Sequence, residues 1–400
     1  MADFGGGDLT AFRTEVRDWI AAHFPAALKG KSAPEGREMS PDQDAWRKAM
    51  GDKGWGVPTW PAAYGGGGLG KAEARVIAEE LAAAGAYNPI GGMGVMMFGP
   101  TLLEYGNEEQ KRRHIPPIVK GELRWCQGFS EPGAGSDLAG LQTKAEDKGD
   151  HYLVSGSKIW TSGAHYADWC FCLVRTDNSK KHEGISFLLI PMDDPGVEPR
   201  PILLINGTTP FCETFFTDVK VPKENLVGPL NGGWTIAKRL LQHERQSISG
   251  ANATGAPGVI PGPGLVAWAK DHLGVDEDGR LADTDLRRRL TEHLMEERAF
   301  QLTGRRAADE ARSNSGPSAA SSVLKNVGSK VRQEKAELAV EMLGSQGLGW
   351  DGAEFDQAAL GATRAWLRGK SGTIAGGSWE VQLNIISKRI LGLPEVTQSR

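Results

Sequence analysis

Apolar side chains recur along this chain with two different periods, and the period changes twice. Leu9, Phe12, Val16, Ile20 and Phe24 fall at steps of three and four, the spacing of one face of an amphipathic helix. Lys71 to Ala84 is dense in Ala, Glu and Leu, which favour helix. Pro100 and Pro116-Pro117 bracket another helical stretch containing Glu104 to Arg113. After Gly121 the spacing shortens. His151 to Trp160, Trp169 to Arg175, Gly184 to Pro191 and Phe211 to Phe216 are runs of β-branched and aromatic residues, and they predict strands. No helical segment between them is long enough for a parallel crossover, so an antiparallel barrel or sandwich is expected. Helical spacing returns at Gly232. Leu286 to Ala311 and Val323 to Leu343 run without proline, and a last helix is expected from Ser378 to Leu391, before Pro394. Gly255 to Gly264, rich in proline and glycine, predicts a loop.

The expected fold class is therefore α+β and multidomain. An N-terminal α-helical domain covers 1–122, a central antiparallel β-barrel or sandwich domain 123–230, and a C-terminal four-helix-bundle domain 231–400. A chain of 400 residues has room for two or three units of about 150 residues each.

Composition narrows the function classes. Lys and Arg number 46 against 50 Asp and Glu, a net charge of −4, which offers no basic surface for nucleic acid. No run approaches the ~20 apolar residues of a membrane span. Met1 to Phe12 carries two acids and no cation, unlike a signal peptide. Cys126, Cys170, Cys172 and Cys212 are too few and scattered for a disulfide framework; they suit buried positions in a reducing, cytoplasmic compartment. Cys170 and Cys172 would share one face of their strand. Glycine is the excess, 53 residues. Gly65 to Gly70 matches a dinucleotide-loop pattern but follows Pro58 and Pro61 in a helical region, so it is read as a loop between helices.

Three places invite chemistry. In Gln127-Gly-Phe-Ser-Glu-Pro-Gly-Ala-Gly-Ser-Asp137, small residues and hydroxyls let a ligand approach the backbone; a decorated turn has the same composition. In Lys158-Ile-Trp-Thr-Ser162, Trp160 is either sheet core or a stacking surface for a flat heterocycle. On the helix starting near Trp234, Ala237, Leu241, Glu244 and Ile248 continue one face that is apolar except for Glu244. A carboxylate there is costly unless paired, with Arg239 or Arg245, or functional; burial would raise its pKa towards that of a general base. No residue group has metal-ligand spacing.

Ser130-Glu-Pro-Gly-Ala-Gly-Ser-Asp137, Trp160-Thr-Ser162, His243-Glu-Arg245 and Ile374-Ala-Gly-Gly-Ser378 resemble, in order and spacing, the acyl-CoA dehydrogenase family. The order of domains matches too, so the resemblance covers nearly the whole chain. It implies FAD between the β domain and the C-terminal helices, an acyl-CoA substrate, and α,β-dehydrogenation to the trans-2-enoyl thioester. By that resemblance Gln127, Phe129, Ser130, Gly135, Ser136, Trp160, Thr161, Ser162, Ser378 and Glu380 meet the cofactor. Ser136, Gln242, Arg245, Gly376 and Gly377 meet the substrate. Most relatives carry the base where this chain has Gly376, which cannot abstract a proton. Isovaleryl- and long-chain-type members place it on the first helix after the β domain, which corresponds to Glu244.

The Arg-x-x-Phe-Gly stretch with which relatives contact FAD across a dimer is missing from Ala269 to Asp285. The resemblance further implies an electron-transferring flavoprotein as acceptor and a homodimer or homotetramer, with mixed hetero-oligomers among relatives. Trp125-Cys-Gln-Gly-Phe-Ser and Trp379 suggest a bacterial member acting on a bulky acyl chain. An acyl-CoA oxidase or flavin monooxygenase on the same scaffold, and a flavin-poor partner subunit, are the alternatives.

Overall fold

A computed structural model describes residues 9–34, 36–249, 264–313 and 320–394; the side chains of 242–249, 308, 311–313, 320 and 321 lie outside that description. So do residues 255–263 of the expected Gly255 to Gly264 loop. The chain divides into two compact units, Met1–Ile202 with Pro210–His243, and Leu203–Thr209 with Glu244–Arg400.

The first unit opens with helices α1 (Thr10–His23), α2 (Pro41–Asp52), α3 (Lys71–Ala84), α4 (Gly99–Tyr105) and α5 (Glu108–Val119). Helix α2 begins at a capping box in which Ser40 and Gln43 satisfy each other's main-chain N–H groups, with Pro41 in the first turn. The stretch expected to end at Pro116 instead divides at Gly106, and α5 continues through Pro116 and Pro117. Their rings deprive the carbonyls of Arg112 and Arg113 of an N–H donor, but both arginines are exposed. The glycine-rich segment 65–70 is a loop packed on its neighbours: a Cβ at Gly66 would lie 2.5 Å from the Trp60 carbonyl oxygen, and one at Gly67 2.6 Å from that of Pro58.

Strands β1 (Trp125–Gly128), β2 (Lys144–Asp147), β3 (His151–Ser162), β4 (Trp169–Arg175), β5 (Ile185–Pro191), β6 (Val197–Ile202), β7 (Phe211–Pro222) and β8 (Leu226–Val227) form one sheet. Its order is β6-β7-β3-β2-β4-β5-β8, with β1 also on β4. Pairing is mostly antiparallel, but β1 runs parallel to β4, Cys126 opposite Cys170. A hairpin, β2–β3, makes that crossover without an α-helix. Strands β4 and β5 are apolar on both faces because both are covered. Phe171, Leu173, Phe187 and Leu189 join the core of the N-terminal helices, while Cys170, Cys172, Leu188 and Ile190 face a second core with Val154 and Val219. Cys170 and Cys172 do share a face, and all four cysteines are buried and free. Gly128 lies against them; a Cβ there would be 2.8 Å and 2.9 Å from their sulfurs.

Helix α6 (Gly233–Ser249) buries Ile236, Ala237 and Leu240 in the helical core of the first unit. In the second unit, α7 (Leu265–Leu273), α8 (Thr284–Ser313), α10 (Gln357–Gly369) and α11 (Trp379–Ile385) each pack on α9 (Ala320–Met342). Leu290, Ala339, Met342 and Ala362 lie in a core shared by α7, α8, α9 and α10. Among the described residues no helix is long and apolar enough to cross a membrane.

Candidate active site

In the first unit, the segment from Gln127 to Asp137 leaves β1 as a tight loop. Glu131 and Ala134 exchange main-chain hydrogen bonds of 3.1 Å and 3.0 Å. Gln127 is half-buried opposite Phe171, Phe129 is buried, and Ser130, partly exposed, accepts the Ile159 N–H at 2.8 Å. Gly135 and Ser136 are exposed, and beyond its chain neighbours no described atom comes within 4 Å of where a Gly135 Cβ would stand. The main chain there is open to a ligand.

Beneath the loop lies a charged pair that the family pattern did not single out. Lys158 Nζ donates to Glu131 Oε1 at 2.8 Å and to the Phe129 carbonyl at 3.1 Å. The Glu131 carboxylate also accepts the N–H groups of Gln142 at 2.6 Å and Thr143 at 2.8 Å. Burial alone would raise the Glu131 carboxyl; the Lys158 ammonium and these hydrogen bonds outweigh it and hold the group below the usual carboxylate range. Counting by twos from buried Tyr152 and Val154 puts Lys158 on the inner face, a signal present in the sequence. Arg175, also buried, donates to the Ala139 carbonyl at 2.6 Å and to that of Leu141 at 3.3 Å and 3.2 Å.

Strand β3 bulges just after Lys158, where its register against β7 shifts. Trp160 sits in that bulge with φ 61°, a left-handed conformation rarely adopted by bulky side chains, and its indole is 53% exposed. It is not sheet core. Phe211 touches it edge-on at 6.0 Å. Thr161 turns inward and is completely buried: its hydroxyl lies 2.7 Å from the Cys212 carbonyl and 2.6 Å from the Thr214 hydroxyl. Ser162, partly exposed, ends the strand opposite Phe211. A nearby groove of about 380 Å³ is lined by Glu131, Gly133, Gln142, Thr143 and Gly156 among others, and by none of the residues assigned to cofactor.

Helix α6 carries Gln242, Glu244 and Arg245, whose side chains lie outside the described residues. Along the helical backbone Glu244 comes four residues, about one turn, after Leu240. Arg239, one of the two candidate ion-pair partners, contacts Glu104 at 2.8 Å.

In the second unit, Gly376 and Gly377 form a turn with φ 69° and 96°, and Ser378 caps α11 by accepting the Val381 N–H at 3.3 Å. Lys325, buried in α9, donates to the Gly377 carbonyl, and Gln382 Nε2 reaches the Gly376 carbonyl at 3.4 Å. Burial lowers the pKa of Lys325; Arg332 adds to that and Glu380 opposes it. Glu380 is exposed, its carboxyl held below the usual range by its own N–H and the Ser378 hydroxyl. Trp379 donates through its indole to Ser329 at 2.6 Å. Segment 269–285, which lacks the Arg-x-x-Phe-Gly stretch, leads from α7 through a turn bridged by Val275 and Leu281 into α8.

The residues fit a flat, partly polar cofactor. The first unit presents an indole held outward by a left-handed backbone, an adjacent loop open at Gly135, and hydroxyls at Ser130, Ser136 and Ser162.

The N-terminal, middle and C-terminal domain profiles of acyl-CoA dehydrogenase match residues 7–122, 126–219 and 231–391. The acyl-CoA dehydrogenase IpdE1 of Mycobacterium tuberculosis is 38% identical over 399 residues, covering 97% of this chain and 98% of that protein. Among solved structures, the Tcur3481-Tcur3483 steroid ACAD is 31% identical with a TM-score of 0.76, over 97% of this chain and 98% of that one. The ChsE4-ChsE5 complex from Mycobacterium tuberculosis is 31% identical with a TM-score of 0.75, over 99% of this chain and 100% of that one.

Proposed function

This chain belongs to the acyl-CoA dehydrogenase family, and we propose that it removes the α and β hydrogens of a bulky acyl-CoA thioester, with FAD as cofactor and Glu244 as base. The observation that carries the cofactor reading is the outward indole of Trp160, strained into place next to the open loop at Gly135. The resemblance assigns Gln127, Phe129, Ser130, Gly135, Ser136, Trp160, Thr161 and Ser162 to FAD; of these Phe129 and Thr161 are buried side chains. By the same resemblance Ser378 and Glu380 are assigned to FAD. Bound FAD supplies the acceptor for the β-hydride.

The chain's own task is the α-proton. Gly376 has no side chain to take it, and the face of α6 that buries Ile236, Ala237 and Leu240 leads to Glu244. A carboxylate in apolar surroundings has its pKa raised towards the working range of a base. Gly376 and Gly377 put main chain rather than side chain on the substrate, which leaves room for a large acyl group. Lys325 and Gln382 hold that turn in shape. The similar steroid ACAD structure supports a polycyclic acyl chain. Ser136, Gln242 and Arg245 are assigned to the substrate as well. Four buried free cysteines suit the cytoplasm, and an electron-transferring flavoprotein is the expected acceptor.

A second reading has a specific motive. The Arg-x-x-Phe-Gly stretch is missing, and two similar structures are named for pairs of chains. On that reading the chain works within a hetero-oligomer and holds flavin only beside its partner.

An anaerobic absorbance titration with straight, branched and steroid-ring acyl-CoAs tests all of this. The proposal expects a yellow protein that bleaches with ring-bearing substrates. A yellow protein that bleaches with none overturns the dehydrogenase reading. A colourless one that gains flavin only with a second chain favours the hetero-oligomer, and peroxide formed in air at the rate of substrate loss favours an oxidase.

A further inference from the structure

We propose that Lys158 and Glu131 are positioning residues that lock together the two walls of the cofactor site, a role that rests on the flavin reading above. Lys158 is completely buried and Glu131 is 8% exposed. A buried ion pair adds little stability by itself, because desolvation offsets the attraction. What matters is what these groups hold.

The Lys158 ammonium bonds the Phe129 carbonyl as well as the carboxylate, so it grips the loop where it leaves β1. The carboxylate accepts the N–H groups of Gln142 and Thr143, where the same loop returns to β2. One cation and one anion thus close residues 129–143 across their base. The Ile159 N–H, next to Lys158 on β3, bonds the Ser130 carbonyl. Trp160 follows at once. The loop bearing Ser130, Gly135 and Ser136 and the strand bearing Trp160 and Ser162 are therefore fixed to each other at one buried point. An apolar residue at 158 could fill the volume but could not donate to both acceptors. Arg175 secures the far part of the loop through Ala139 and Leu141, which leaves its entrance to Lys158.

The test compares full-length wild-type protein with Lys158→Met, Lys158→Arg and the double variant Lys158→Met/Glu131→Gln. Each is freed of flavin and titrated with FAD, following flavin fluorescence and the visible band. Amide hydrogen exchange at Gln142, Thr143 and Ile159 is measured on the flavin-free proteins. Lys158→Met leaves a buried carboxylate unpaired and is expected to melt early. The double variant removes that charge and should melt near wild type. It should still bind FAD at least tenfold more weakly, with a shifted band, and exchange those three amides at least tenfold faster. Lys158→Arg should recover part of both. Wild-type affinity and wild-type exchange in the double variant overturn the role. Wild-type protein that takes up no FAD refutes the flavin reading instead, and the exchange rates still decide whether the pair holds the loop.

Discussion

Lys158 and Thr161 stand three residues apart on one strand, and both are completely buried. A regular pleat repeats every two residues and would bring Lys158 and Trp160 to the same face. The ladder shows the extra residue: Lys158 pairs with Thr214 and Thr161 with Cys212, three steps on β3 against two on β7. The bulge turns the indole outward and the threonine inward. It re-aims one side chain beside the open loop, as bulges next to active sites often do.

Replacing Trp160 by glycine separates its two roles. Relief of the left-handed backbone returns about 1 kcal/mol, and loss of the edge contact with Phe211 costs about 0.5–1.5 kcal/mol. Denaturation should therefore move by less than about 1 kcal/mol. FAD affinity, measured by fluorescence titration, should fall at least tenfold, with Trp160→Phe in between.

Glu244→Gln keeps the shape of the base and removes its ability to take a proton. The variant should hold FAD as the wild type does, while substrate-dependent bleaching slows by roughly 10²–10⁴-fold. Unchanged turnover would return the search for a base to other residues.

His114 gives stability a pH signature. It is buried in α5 among Trp125, Trp169 and Phe98, with Nδ1 unpartnered. Burial, with a smaller push from Arg113, lowers its pKa from 6.5 to about 4. Between those values the unfolded chain binds a proton that the folded one refuses, so this stabilisation is lost as pH falls from 6.5 towards 4. Going from pH 7 to pH 5, the wild type should lose on the order of 2 kcal/mol more than His114→Phe, as read by urea denaturation at the two values.

Gly128→Ala should destabilise the first unit by about 1–3 kcal/mol, since the added methyl meets the Cys170 and Cys172 sulfurs in a filled core. Adding Cys172→Ala should recover part of the loss in a thermal melt. No recovery would mean the strain lies in the backbone instead.

Elements with a strong period were legible. Helix α3 and strand β4 begin and end where the pattern of residues places them. Strands β1, β2, β6 and β8 were not, because each is short and depends on a neighbour for its pairing. Strand β6 even contains Pro199 and Pro201, tolerated because it lies at the sheet edge. Pro116 and Pro117 read as a helix stop, yet α5 includes them because the carbonyls they deprive belong to exposed residues.

The order of residues alone determined the succession of helical, β and helical regions, the family, and the candidate loop, indole and base. These follow from periodicity and from motifs that are local in sequence. Only the tertiary structure decided that Trp160 faces out while Thr161 faces in, and that Lys158 and Glu131 join a loop to a strand. The first depends on an extra residue in one strand against another, the second on contacts between residues 27 positions apart. Neither is a property of any single segment.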